Sequence, residues 1–216
     1  MKKLLLSVFI VSLFGTSFAN ATEVKFLVGG NIGVSGISWT DGAKEVMEPL
    51  GELPTSFLNL GVDAGIRLKN DNMYNFGVTF AYDYIADSKA DLNSDAKVYV
   101  GAMKAGFSTF GVTLDNYFRI SDKGEERSDF IVGLGFAGVR ERIYMRPTAT
   151  GIANGVEKVD DYDTGGTFVL KLAFNAKINE KWDWNITGRW FLTSGDSDEK
   201  DFNSLFNLTV GAKYMF

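Results

Sequence analysis

The chain has 216 residues and a formal charge of −5, with 24 Gly, 18 Phe, 8 Tyr, 4 Trp, only 3 Pro, and neither Cys nor His. That length suits one domain or two small ones. The missing His and Cys exclude His-based acid/base catalysis, Ser-His and Cys-His nucleophiles, disulfides and the ordinary zinc and haem sites. The acidic balance argues against nucleic acid as a partner, and Gly above its usual share beside many aromatics points to Gly-punctuated β structure.

The first segment carries Lys2 and Lys3, an apolar run from Leu4 to Phe14, and Ala19-Asn20-Ala21 at its end. A basic start, an apolar core and an A-x-A close form the layout of a secretory signal peptide, cleaved after Ala21. The alternative, a retained N-terminal anchor, is disfavoured because the run is shorter than the ~20 residues of a helical span. The expected organisation is a signal peptide over 1–21 and one domain over 22–216.

From there on the period is two. After a weaker run from Val24 to Thr40, Leu58, Leu60, Val62, Ala64, Ile66 and Leu68 alternate with Asn59, Gly61, Asp63, Gly65 and Arg67. Tyr74 to Tyr84 repeats the pattern, weaker runs cover roughly Phe107 to Ser121 and Ser128 to Met145, and Phe168 to Ile178, Trp182 to Leu192 and Phe206 to Phe216 complete it. Such alternation gives each strand one apolar and one polar face, and the set predicts eight strands. The connections alternate too. Asn70-Asp71-Asn72, Asp122 to Arg127 and Asn179-Glu180-Lys181 are short and polar, whereas 41–54, 87–106, 146–163 and 195–203 are long. Within 87–106, Lys97 to Ala105 is itself strand-like, so the fourth strand is expected to protrude beyond a membrane.

Alternation alone also fits a soluble lipocalin-like barrel or a β-sandwich. Three features favour lipid on the apolar side. The apolar faces match a tilted transmembrane strand in length. The opposite faces carry Asp63, Arg67, Asp83, Asp115, Arg119, Lys171, Arg189 and Lys213 in mid-strand, a set that must pair inside a shared lumen. Aromatics gather near strand ends, with Tyr74, Trp182, Trp184, Tyr214 and Phe216 towards the short turns and Trp39, Tyr84, Phe107 and Trp190 towards the long loops, as two interface girdles would. The fold class read from these patterns is all-β, an eight-stranded antiparallel up-and-down transmembrane β-barrel.

A signal peptide, eight alternating strands and a last strand running Leu208-x-Val210-x-Ala212-x-Tyr214-x-Phe216 together resemble the small bacterial outer-membrane barrels of the OmpA/OmpX type. The resemblance implies location in the outer membrane, contact with its lipid and lipopolysaccharide, and recognition of Tyr214 and Phe216 by the barrel-assembly machinery. The barrel enzymes of that membrane rely on His, which this chain lacks.

Other motifs carry less. Gly133-Leu134-Gly135-Phe136-Ala137-Gly138 fits the dinucleotide pattern G-x-G-x-x-G but lies inside an alternating strand, so Gly133 and Gly135 are read as space for neighbouring side chains. Asn185-Ile186-Thr187 and Asn207-Leu208-Thr209 match N-x-T in mid-strand and are read as chance. The long loops are acidic, with Asp41, Glu45, Glu48 and Glu52 in the first and Asp196, Asp198, Glu199 and Asp201 in the last. Solvation explains such charge, and the spacing lacks a calcium loop's glycine and ligands, so no metal or cofactor is expected. An eight-stranded barrel is just wide enough for its own side chains. The expected role is structural or surface-interactive, through loops that meet an extracellular ligand. A narrow channel and a lipid-modifying enzyme are the alternatives.

Overall fold

The computed structural model describes residues 23–47, 51–69, 74–93, 99–123, 126–193 and 202–216. The proposed signal peptide with Ala19 and Ala21, the turn Asn70-Asp71-Asn72, Glu48 and the acidic stretch Asp196 to Asp201 lie outside the described residues. Eight strands form a closed antiparallel ring: β1 (Glu23–Trp39), β2 (Ser56–Lys69), β3 (Tyr74–Asn93), β4 (Tyr99–Lys123), β5 (Glu126–Pro147), β6 (Val159–Lys177), β7 (Trp182–Thr193) and β8 (Phe202–Met215). Each strand pairs with its neighbours in sequence, and β1 closes on β8 through pairs from Leu27–Met215 to Trp39–Phe202. Closure leaves no edge with unpaired backbone groups, a requirement in lipid.

The wall is inside-out relative to a soluble domain. Val62, Phe80, Leu134, Phe136 and Val210 are exposed on the outside, each near 60 %, and similar residues surround the ring on every strand. Asp63, Asp83, Asp115, Lys171 and Arg189 are fully buried within. A continuous apolar belt of this extent would aggregate in water, whereas a bilayer matches it. The barrel therefore spans a membrane with its strands.

Four strands run longer than their apolar alternation suggests. β3, β4, β5 and β6 extend past the belt on the long-loop side, so that β3 pairs with β4 up to Asn93–Tyr99 and β5 with β6 up to Met145–Val159. Among the described residues, two short helices lie at this end. Thr40 accepts from the Ala43 amide at the start of α1 (Asp41–Met47). Thr148 accepts from the Gly151 amide at the start of α2 (Ala149–Ala153), and its own amide donates to the Val100 carbonyl at 2.8 Å, which pins the helix to β4. Both caps satisfy amides that a helix leaves unpaired.

Candidate functional site

Among the described residues, ionisable groups are concentrated away from water in the lumen. At the charged levels, inward positions have odd numbers on β2, β4, β5, β6, β7 and β8, and on β3 as far as Ile85; nearer the long loops, where the register shifts, Val100 and Phe202 join the buried core at even positions. Asp63 and Arg67 come from β2, Asp83 from β3, Asp115 from β4, Lys171 from β6, Arg189 from β7 and Lys213 from β8.

Three ion-pair clusters occupy successive levels. At the first, Arg189 reaches across the ring from β7 to β3, where its Nη1 donates to both Asp83 oxygens at 3.0 Å, and its Nη2 donates to Asp63. Lys213 Nζ stands 3.4 Å from the other Asp63 oxygen. Asn207 and Thr109 donate to Asp83 at 3.2 Å, and a chain of hydrogen bonds from Asn59 through Ser35 to Asn207 extends the cluster to β2 and β1. At the second, Lys171 donates to Asp115 at 2.6 Å, and Thr79 and Thr113 donate to the same carboxylate. At the third, nearest the short turns, Arg67 donates to Asp129 at 2.9 Å with its guanidinium 4.3 Å above the Tyr117 ring, while Arg127 donates to Asp183 at 2.7 Å. Arg119 joins there, 3.6 Å from Asp129, at the partly exposed mouth. Forked guanidinium contacts and hydroxyl donors make buried charge tolerable.

Glycine supplies the room. Gly133 sits between Asp115 and Lys171 on one rung, and a Cβ there would meet both side chains. Gly61 does the same between Asn31 and Asp83. Gly135 instead lets the β4 backbone approach, since a Cβ would collide with the Val112 carbonyl.

Above the charged levels the lumen becomes apolar, a feature not anticipated from the sequence. Phe107 stands at its centre, with ring centroids 5.4 Å from Phe57, 5.7 Å from Phe202 and 5.9 Å from Trp39. Ile85, Leu92, Met103 and Leu205 fill the space around them, and Leu53 and Val156 from the loops pack on top. Trp39 and Phe107 are thus core residues and not interface aromatics: each is nearly fully buried, and the Trp39 indole donates to the Pro54 carbonyl at 2.9 Å. The other expected girdle residues Tyr84, Trp182, Trp184 and Trp190 are exposed on the outer wall. Tyr214 and Phe216 lie at the short-turn end beside Trp182, with centroids 5.1 Å apart for Trp182–Tyr214 and 4.8 Å for Tyr214–Phe216. The side chain of Tyr74 lies outside the described residues.

Arg127, Asp129 and Asp183 were absent from the expected lumen set. Asp129 pairs directly with Arg119 across β4 and β5, so its parity already placed it inside. Among the described residues, each buried lumenal aspartate stands against a cation. Among the described residues no group of three acidic, His or Cys side chains is placed to hold a metal.

No protein-family model matches the chain, and no curated protein sequence matches it. Solved structures do. OprG of Pseudomonas aeruginosa is 12% identical with a TM-score of 0.54, covering 89% of this chain and 95% of that one. Ail, the attachment invasion locus protein of Yersinia pestis, is 12% identical with a TM-score of 0.51, covering 90% of this chain and all of that one. Ail has also been solved in complex with the heparin analogue sucrose octasulfate. At such identity the likeness establishes the fold: a small β-barrel of the outer-membrane type.

Proposed function

We propose that the chain is a closed anchor in the bacterial outer membrane whose role is performed by the wall and loops on its long-loop side, in adhesion or envelope integrity. The observation that carries this reading is the double seal of the lumen, three ion-pair levels beneath an aromatic plug, which supports a scaffold over a solute channel. The short turns then face the periplasm and the extended β3–β6 wall faces outward. The likeness to Ail, an attachment invasion locus protein that has been solved with a heparin analogue, supports an extracellular ligand for this chain as well. Paired lumenal carboxylates support a non-enzymatic role. The terminal aromatics Tyr214 and Phe216 are proposed as the segment recognised during barrel assembly.

The test is adhesion of cells expressing the chain, with and without shortening of 41–54 and 148–158. Adhesion lost on shortening, with the folded barrel still present in the outer membrane, is the expected result. Adhesion unchanged by both deletions overturns the loop-based reading.

A further inference from the structure

The lipid-facing wall breaks its apolar rule on β4. There the outward side chains run Phe110, Val112, Leu114, Asn116, Phe118 and Ile120, because Asp115 and Tyr117 on either side of Asn116 point into the lumen. The rungs of the sheet set Asn116 beside Phe76 of β3 and Val132 of β5, so its outward neighbours are apolar in all four directions. Among the described residues, no other outward position flanked by apolar outward neighbours on its own strand carries an amide or a charge.

The depth of this residue makes the exception costly. Ile120 is the last apolar outward residue of β4 before the short turn, and Asn116 lies four residues from it. At ~3.4 Å per residue and a strand tilt near 45°, the carboxamide stands about 10 Å inside the belt. So short a side chain cannot reach the headgroups from there, and the backbone beside it is committed to the ladders with β3 and β5. Asn116 makes no hydrogen bond or ion pair with another described residue. A carboxamide brings two N–H donors and an acceptor oxygen, all of which hydrocarbon leaves unpaired.

Whatever satisfies this group must lie in the membrane and offer a donor and an acceptor at the same depth. Every copy of the chain crosses the membrane in one direction, so a second copy carries its own carboxamide at that level. Two facing amides are self-complementary, each donating to the oxygen of the other. A two-fold axis along the membrane normal brings them together in one isologous contact.

We infer that the outer wall of β3, β4 and β5 around Asn116 is a homodimer interface, in which the Asn116 carboxamides of two protomers hydrogen-bond to each other. The two-fold axis then sets β3 of one protomer against β5 of the other. Lipid covers the surrounding apolar side chains as well as a protein does, so the paired amides supply the preference for a second copy over lipid. This interface uses the membrane wall and is independent of any role of the loops.

The test exploits the absence of native cysteine. The full chain carrying Glu180→Cys, in an exposed short turn, is labelled with donor or acceptor dye and added from outside to phosphatidylcholine vesicles, so that every copy inserts in one direction. Energy transfer above random mixing is expected, and Asn116→Leu should lower the lipid dilution at which it disappears by about tenfold. Asn116→Gln keeps the amide and should stay near the wild type. Gel mobility of unheated samples monitors folding.

Crosslinking with a short bis-thiol reagent reads the geometry. Copies with Phe76→Cys mixed with copies with Val132→Cys should crosslink more than either does alone, and Val210→Cys on the opposite wall should not crosslink. Asn116 is in place in these variants, so the pattern decides the case even where Asn116→Leu folds poorly. Random-level transfer in the wild type, undiminished transfer in Asn116→Leu, or crosslinking at Val210→Cys equal to that of the mixture overturns the inference. An adduct in outer membranes whose mass is not twice that of the chain assigns the surface to a different protein and overturns the homodimer.

Discussion

Arg189 on β7 and Asp83 on β3 face each other across the full width of the barrel, with one guanidinium nitrogen 3.0 Å from both carboxylate oxygens. In an eight-stranded ring these strands are diametrically opposed, so the contact is a brace that fixes the cross-section as well as an ion pair. The same guanidinium also serves Asp63.

Removing the brace leaves two buried carboxylates with fewer partners. Arg189→Met is expected to destabilise the folded barrel by about 3–5 kcal/mol, read from urea unfolding in vesicles. Arg189→Lys keeps the charge without the fork and should fall between that variant and the wild type. Adding Asp83→Asn to Arg189→Met should restore part of the loss. Unchanged stability in Arg189→Met would show that the brace contributes nothing.

The aromatic plug predicts a different failure. Phe107 contacts Trp39, Phe57 and Phe202 at once, so Phe107→Ala opens a cavity that rigid strands cannot close. A loss of about 3–5 kcal/mol is expected in the same unfolding assay. The ion-pair levels beneath remain intact, so the variant should still exclude small solutes in liposome-swelling experiments. Rapid swelling would mean that the plug alone closes the lumen.

The tryptophans separate inside from outside. Trp182, Trp184 and Trp190 lie on the outer wall, whereas Trp39 is buried in the plug. Single-tryptophan variants in brominated-lipid bilayers should lose most fluorescence for each of the three outer residues and little for Trp39. Strong quenching of Trp39 would contradict its placement in the lumen.

Much of this architecture is legible in the residues, and the exceptions have physical causes. Asp63, Arg67, Asp115, Lys171 and Lys213 share one parity with the polar side of their strands, because lipid outside and charge inside sort every second residue. The sorting fails above the membrane. There the outer face meets water and the inner face meets the plug, so Asp87-Ser88-Lys89-Ala90-Asp91 shows no apolar-outside rhythm although it is strand. A register shift between Ile85 and Ser88 also reverses the parity of β3 at that point. The plug itself leaves a trace in runs apolar on both faces, Phe57-Leu58, Trp190-Phe191-Leu192 and Leu205-Phe206, where inward and outward residues are both hydrophobic. Trp39 shares the odd parity of Asn31 and Ser35; its position at a strand end, where girdle aromatics also occur, obscured that signal.

With three ion-pair levels beneath an aromatic plug, this transmembrane barrel should pass no ions. Single-channel recording of the purified, folded chain in planar bilayers tests it most directly. A silent baseline at voltages that leave the bilayer intact is the predicted result, and steady, reproducible open steps would contradict it.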